Sequence, residues 1–166
     1  MHAVLSYERG TILVRGDVTI PFGSWDSRAK AYRALALCYR DILEYLGRSH
    51  IRFDDHVMDP VPCPELKGSV KLRDYQQQAL DAWLAAGKRG VIVLPTGAGK
   101  TVIGLKAIEA ANVPAIVIVP TLDLVEQWRG RLAQEFNIEI GVYGGSEYII
   151  EPITVSTYDS AYLRAG

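Results

Sequence analysis

Cysteine is scarce. Cys38 and Cys63 are the only two in 166 residues, and they form no Cys-x-x-Cys pair. Reduced thiols are the plain reading, with Cys38 as a small core hydrophobe and Cys63 as a linker residue. No signal-peptide pattern opens the chain, and no apolar run approaches the roughly 20 residues that span a bilayer. The expectation is a soluble intracellular protein without a membrane partner, in cytoplasm or nucleoid, or in the nucleus of a eukaryote. Charge of one sign is lacking too: 18 basic residues face 19 acidic ones, a net charge of −1. Cutting at Leu66 changes nothing, with 8 basic and 9 acidic residues before the cut and 10 of each after it. No global field holds such a chain on nucleic acid, so any DNA contact must come from local geometry. Internal repeats and low-complexity segments are absent, and 49% apolar residues provide for a real core.

What is present centres on Val91-Ile92-Val93-Leu94-Pro95-Thr96-Gly97-Ala98-Gly99-Lys100-Thr101. An apolar run over Val91–Leu94 predicts a buried strand, leading into a glycine loop and then a helix. Polyphosphate binding needs that order. Glycines let backbone N–H groups curl around oxygens, and a helix N-terminus adds unpaired donors. Lys100 places a cation against the outer phosphates, and the Thr101 hydroxyl is a ligand for Mg²⁺. The general form of the loop has glycine where this chain has Leu94, which points away from most P-loop kinases and towards a helicase-type Thr-Gly-x-Gly-Lys-Thr core.

Ahead of the loop, Ala3–Tyr7, Thr11–Arg15 and Val18–Ile20 read as short strands, with turns at 8–10 and 16–17. Arg15-Gly16-Asp17 is a turn and nothing more. Pro21–Asp26 reads as loop, with Asp26 or Ser27 as N-cap of a helix over Arg28–Leu46 that Gly47 closes. Ala31, Leu35, Cys38, Ile42 and Leu46 would form its apolar face. Lys30, Arg33 and Arg40 would lie on the opposite face, a candidate phosphate contact that acids interrupt. Ile51–Phe53 adds a strand. The alternate prolines of Asp59–Pro64 then mark a stiff linker. The expected division is a small α/β domain over 1–66 and a second domain over 67–166. After the linker, a helix from Leu72 to about Ala86 precedes the loop strand, and Thr101–Ala111 is the helix after it. Strands at Ala115–Val119, Ile140–Tyr143 and Ile153–Ser156 alternate with a helix marked by Leu122, Val125, Leu132 and Phe136. Such alternation means a parallel α/β sheet, with ligands at the carboxyl ends of its strands.

With these motifs in place, the second part resembles the first RecA-like domain of superfamily 2 helicases. Leu72-Arg73-Asp74-Tyr75-Gln76 is similar to their Q-motif, and Leu94–Thr101 to motif I. Pro120–Trp128 is similar to motif Ia, Gly144-Gly145 lies near motif Ib, and Thr154–Ala161 is similar to motif Ic. Within the superfamily these strings are most similar to the XPB family of repair and transcription helicases. Tyr7–Thr11 and Asp26–Tyr45 resemble the small damage-recognising domain that precedes the helicase domain in archaeal-type members.

The resemblance implies an incomplete RecA-like P-loop sheet preceded by a small mixed α/β domain, and the N-terminal part of an ATP-dependent DNA helicase or translocase. ATP and Mg²⁺ would be its cofactors, and a junction or distorted duplex its DNA. A repair nuclease or a transcription and repair complex would be its protein partners. Gln76 would read adenine, with Arg73 in support and Leu94, Pro95, Thr96, Gly97, Ala98, Gly99, Lys100 and Thr101 around the phosphates. Thr121, Gly144, Gly145, Thr157 and Tyr158 would meet DNA, although Thr121 fits a helix cap equally well. Trp128 reads as packing between helix and sheet. The family's Asp-Glu-x-His motif is absent from the chain, so these residues alone are expected to bind ATP without hydrolysing it. Two alternatives remain: a restriction-type translocase subunit, though residues 1–66 lack a nuclease's acids around a lysine, and a non-catalytic DNA-binding or interaction module with a nucleotide pocket.

Overall fold

The computed structural model describes residues 1–58 and 62–164. The chain divides into two compact units, Met1–Asp59 with Leu163–Gly166, and Pro60–Tyr162. In the first unit β1 (His2–Glu8), β2 (Thr11–Gly16), β3 (Ser24–Asp26), β4 (Ala31–Leu35) and β5 (Arg52–His56) form one sheet, in the order β3-β4-β2-β1-β5. Pairing is antiparallel except between β1 and β5. Strand alternation sends Ala3, Leu5, Ile12, Val14 and Ala34 into one core. The helix α1 (Tyr39–Arg48) adds Ile42 and Leu46, both fully buried. Cys38 packs at the margin of this core, as its size suggests.

The long helix expected over Arg28–Leu46 is corrected. Its first part is β4, a 3₁₀ turn spans Ala36–Cys38, and only Tyr39–Arg48 is α-helical. Ala31, Leu35 and Cys38 do fall at helical spacing. The competing period is two: Ile12 pairs with Ala34 and Val14 with Tyr32 on the core side, while Arg33 alternates away beside Leu13. Asp26 starts the reversal, its Oδ1 accepting the backbone N–H groups of Arg28 at 2.9 Å and Ala29 at 3.1 Å. Three smaller expectations also change. Val18–Ile20 is irregular chain although Val18 and Ile20 are buried, Ser24–Asp26 is a strand, and Gly47 lies inside α1, which runs on to Arg48.

The second unit carries α2 (Asp74–Ala85), α3 (Lys100–Ala111), β6 (Ala115–Val119), α4 (Leu122–Phe136), β7 (Gly141–Gly144), β8 (Glu147–Ile149) and β9 (Ile153–Thr157). A last helix, α5, covers Tyr158–Arg164. The sheet order is β6-β9-β7-β8. The first three strands are parallel, and β8 closes an antiparallel hairpin with β7 that the sequence reading lacked. Leu105, Val119, Val125, Leu132, Val142, Ile153 and Val155 form its core. Trp128 packs at the margin and against α3, where a Cβ on Gly104 would come within 2.8 Å of the indole.

Leu66 belongs to this second core, and Cys63 packs beside it. From Leu66 to Val70 the chain joins no ladder, and side chains of α3, its C-cap and α4 hold it instead. The Leu66 N–H donates to Asn112 Oδ1 at 2.7 Å, that of Gly68 to Glu109 Oε1 at 3.2 Å, and that of Val70 to Glu135 Oε1 at 2.7 Å.

The buried strand expected at Val91–Leu94 is also corrected. That segment is in no sheet, and Val91 and Val93 are 89% and 85% exposed. Its composition suits a strand, but a ladder needs a neighbour, and no described strand pairs with it. β6 is bordered by β9 alone and leaves Ile116 55% exposed.

Candidate nucleotide and nucleic-acid site

The loop before α3 takes its shape from two left-handed glycines, Gly97 at φ 81° and Gly99 at φ 77°. Gly99 caps α3, whose first two residues are Lys100 and Thr101. Glycine is needed there twice over, because a Cβ at Gly99 would also lie 2.5 Å from Gln76 Nε2.

Gln76 is 4% exposed and ties the start of α2 to this loop. Its Oε1 accepts the Arg73 N–H at 2.9 Å, and its Nε2 donates to the Ala98 carbonyl at 2.8 Å. The Tyr75 hydroxyl donates to the same carbonyl at 2.9 Å. Each amide atom of Gln76 thus uses one of its two hydrogen-bonding positions inside the protein. Arg73, Gln76, Gly97, Ala98 and Gly99 border a cleft of about 220 Å³, together with Val70, Lys71 and Val102. Sequence reasoning missed Tyr75 and Lys71, although both stand within two residues of the Leu72–Gln76 motif or inside it.

Lys100 Nζ donates to the carbonyls of Leu94 at 3.0 Å and Pro95 at 3.1 Å. The cation therefore rests over the loop, on acceptors that anionic oxygens would outbid. Thr96 is exposed and Thr101 half-buried in the first turn of α3. No cluster of three or more His, Cys, Asp or Glu able to hold a metal exists among the described residues. The Thr101 hydroxyl could serve as a protein donor to Mg²⁺, an ion that takes most of its ligands from phosphate and water.

A second group gathers at the carboxyl ends of the parallel strands. Thr121 caps α4, its Oγ1 accepting the Leu124 N–H at 3.4 Å. Thr157 is buried at the end of β9, where its Oγ1 accepts the Ser160 N–H at 3.2 Å and donates to Ser160 Oγ at 3.0 Å. A Cβ on Gly144 would stand 2.7 Å from that Ser160 Oγ, and one on Gly145 would stand 3.4 Å from the Leu122 side chain. Thr121, Gly144, Gly145 and Thr157 thus share one rim, and Tyr158 beside them is 60% exposed. Ser160 was missed, and its signal is the hydroxyl three residues after Thr157.

Lys30, Arg33 and Arg40 are not brought together on one helix, and that expectation is corrected. Lys30 sits in the turn before β4 at φ 48°, Arg33 is in β4, and Arg40 is in α1, 3.5 Å from Glu44. Arg33 donates from Nε to Asp26 at 2.9 Å, from Nη1 to Thr11 Oγ1 at 2.7 Å and from Nη2 to Glu8 at 2.9 Å. All three of its nitrogens are engaged inside the unit. The Ala29 N–H, and after it Arg33, hold the Asp26 carboxyl below the usual carboxylate range. Asp26, and after it Glu8, raise the Arg33 guanidinium above its ordinary value.

The chain is similar to several known proteins. Residues 5–57 match the Xeroderma pigmentosum group B helicase damage recognition domain, and residues 69–165 match the family described as type III restriction enzyme, res subunit. The chain is 45% identical to the DNA 3'-5' translocase XPB2 of Sulfurisphaera tokodaii, over 97% of its own length and 36% of that protein's. It is 40% identical to the DNA 3'-5' helicase XPB of Mycobacterium tuberculosis, over 57% of its length and 18% of that protein's. The UvsW helicase of bacteriophage T4 aligns with 99% of the chain, covering 77% of the phage protein, at 14% identity and a TM-score of 0.48. The chain therefore spans about a third of the length of the first of these relatives.

Proposed function

The chain belongs to the XPB family of DNA helicases, with a damage recognition domain followed by the start of a helicase domain, and from that premise we propose that it is the ATP- and DNA-binding portion of an XPB-type motor in DNA repair or transcription. The observation that carries the proposal is the braced loop. Two left-handed glycines lead into Lys100 and Thr101, while Gln76 and Tyr75 both hold the Ala98 carbonyl.

In this reading the backbone N–H groups of residues 96–101 and the α3 N-terminus hold the β- and γ-phosphates. Lys100 leaves the Leu94 and Pro95 carbonyls for the outer phosphate oxygens. Thr101 holds Mg²⁺, which when bound supplies charge neutralisation between the phosphates. Gln76 reads the adenine edge with its remaining donor and acceptor while keeping its grip on Ala98, and Arg73 supports the same cleft. Base recognition is then tied to the shape of the phosphate loop. The rim of Thr121, Gly144, Gly145, Thr157 and Tyr158 meets the DNA strand, and the damage recognition domain favours distorted duplex. The 3'-5' direction named for the relatives is proposed for the larger motor.

Hydrolysis needs more than this cradle. A carboxylate must hold the metal and a group must position the attacking water. The sequence holds no Asp-Glu-x-His motif to supply them, and Asp159 lies in the first turn of α5 beside the rim instead. Residues 1–166 by themselves are therefore proposed to bind ATP without turning it over.

Calorimetry with ATP and Mg²⁺ tests the binding. Lys100→Ala removes a charge-assisted contact of about 1.5–3 kcal/mol and should weaken ATP about tenfold or more. Equal binding by both proteins overturns the assignment. Gln76→Ala should weaken ATP more than inorganic triphosphate, and a parallel loss would leave Gln76 as a brace only. Phosphate release from the pure chain tests the last point. DNA-stimulated turnover that Lys100→Ala abolishes would refute it.

A further inference from the structure

The first unit has a cavity of about 560 Å³ that none of the helicase motifs uses. Asp17, Thr19, Trp25, Tyr32, Tyr45 and Ser49 line it. Its size falls in the range of small-molecule sites, roughly 300–1,000 Å³. Three of those six residues are aromatic, and one is displayed: Trp25 is 54% exposed on the short edge strand β3. A tryptophan left in water at a cavity mouth forgoes much of its burial, which a ligand would supply.

The aromatic wall is built rather than loose. Trp25 and Tyr32 are cross-strand partners, with ring centroids 5.3 Å apart at 71°. Tyr45 lies edge-on to Phe22 at 6.2 Å, and its hydroxyl donates to the Thr19 carbonyl at 3.3 Å. Edge-to-face packing orients the Trp25 ring, much of which stays exposed. The same lining includes groups of the kind that read a base edge: the Asp17 carboxylate, which accepts from an amino or ring N–H, and the hydroxyls of Thr19 and Ser49. Cations lie near the lining residues in the chain or across the sheet. Arg28 and Lys30 are exposed in the turn that joins β3 to β4 just past Trp25, and exposed Arg52 pairs with His2, next to the lining residue Met1.

We propose that this cavity takes a single nucleobase unstacked from duplex DNA, with the Trp25 face as its stacking platform, Asp17 as an acceptor for its edge, and Arg28, Lys30 and Arg52 on the flanking phosphates. This inference rests on the DNA-binding reading above and names what the first unit would recognise. A base pairs and stacks well in regular duplex, so extrusion is cheapest where the helix is already mismatched, damaged or bulged. Preference for distorted DNA then follows from the cost of extrusion, without any contact to a particular lesion.

The test uses the full chain and two duplexes, one fully paired and one carrying a single extrahelical 2-aminopurine. Fluorescence anisotropy at low salt gives both affinities, and the 2-aminopurine emission reports stacking directly. The expected result is tighter binding of the bulged duplex with quenched emission. Trp25→Ala should erase that preference, a loss of about 5- to 150-fold as base–aromatic stacking gives by alanine substitution, and leave the paired duplex unchanged. Trp25→Phe should keep most of the preference and so guards against simple misfolding. A preference and quench that survive Trp25→Ala overturn the pocket while leaving DNA binding intact. Failure of the wild-type chain to bind either duplex overturns the DNA-binding reading and this inference together.

Discussion

The two sheets cover their apolar residues differently. In the first unit the apolar face of the sheet is covered by α1, and the opposite face is cross-linked where Arg33 reaches Asp26, Thr11 and Glu8. In the second unit β6 has a partner on one side only, and Ile116 is 55% exposed along it. Val91 and Val93, written in the same β-branched alphabet, are more exposed still and pair with no described strand. An apolar run therefore states a preference for a neighbour, and whether a strand forms depends on the neighbour being there. Full burial of such a side chain yields about 1.5–3 kcal/mol. The first unit realises that at Leu5, Ile12 and Ile42, and the second leaves it unrealised at its edge.

Paired truncations test this contrast most directly. Ile42→Ala, in the closed core, should cost about 2–5 kcal/mol in chemical denaturation. Ile116→Ala, at the open edge, should stay within about 0.5 kcal/mol. Similar losses at the two sites would erase the distinction. Next in size is Gly99→Ala. A left-handed alanine costs about 1–2 kcal/mol, and its methyl would crowd Gln76. Weakened ATP in calorimetry with the melting of the first unit unchanged is the expected outcome. Thr121→Ala removes the cap of α4 and should lower the stability of the second unit by about 1 kcal/mol, leaving the first untouched.

The smallest effect is a pH response confined to the first unit. The Tyr39 phenol is pushed up to about 12, by burial and then by its hydrogen bond to Asp55. A raised folded-state value means the folded protein holds the proton more tightly than the unfolded chain does. Its contribution is complete below the ordinary value near 10 and fades as pH rises from about 10 to 12. Denaturation of the first unit across that window should show the loss, and Tyr39→Phe should flatten it.

The shape of the loop before α3 was the most legible part of the chain, because it is set locally. The left-handed Gly97 and Gly99 and the helix start at Lys100 and Thr101 follow from residue type and spacing, and both survive without knowledge of the tertiary structure. The helices α2, α3 and α4 and the strands β6, β7 and β9 were legible for the same reason, each carrying its own period and stop signal. Errors fell where two periods compete. From Ala31 to Leu35 small apolar residues satisfy a helix and a strand alike, and only pairing with β2 decides. The burial of Val91–Leu94 was misread because it depends on residues far away in the chain. Arg33 was read as a surface cation since nothing in sequence brings Glu8 and Asp26 to it. Tyr75 escaped notice because its partner is the carbonyl of Ala98, 23 positions on.

The Leu66–Val70 segment bears on how this protein should be dissected. A helicase-only fragment started at residue 69, where the family match begins, would cut inside a clasp. It would discard Leu66 from the core and leave the Asn112 and Glu109 acceptors without the backbone groups they now hold. Starting at Cys63 instead keeps the clasp whole, and its thiol, pushed up by burial against that core, becomes a reporter. Slow labelling of Cys63 by a thiol reagent means the segment is latched, and fast labelling means it has come away.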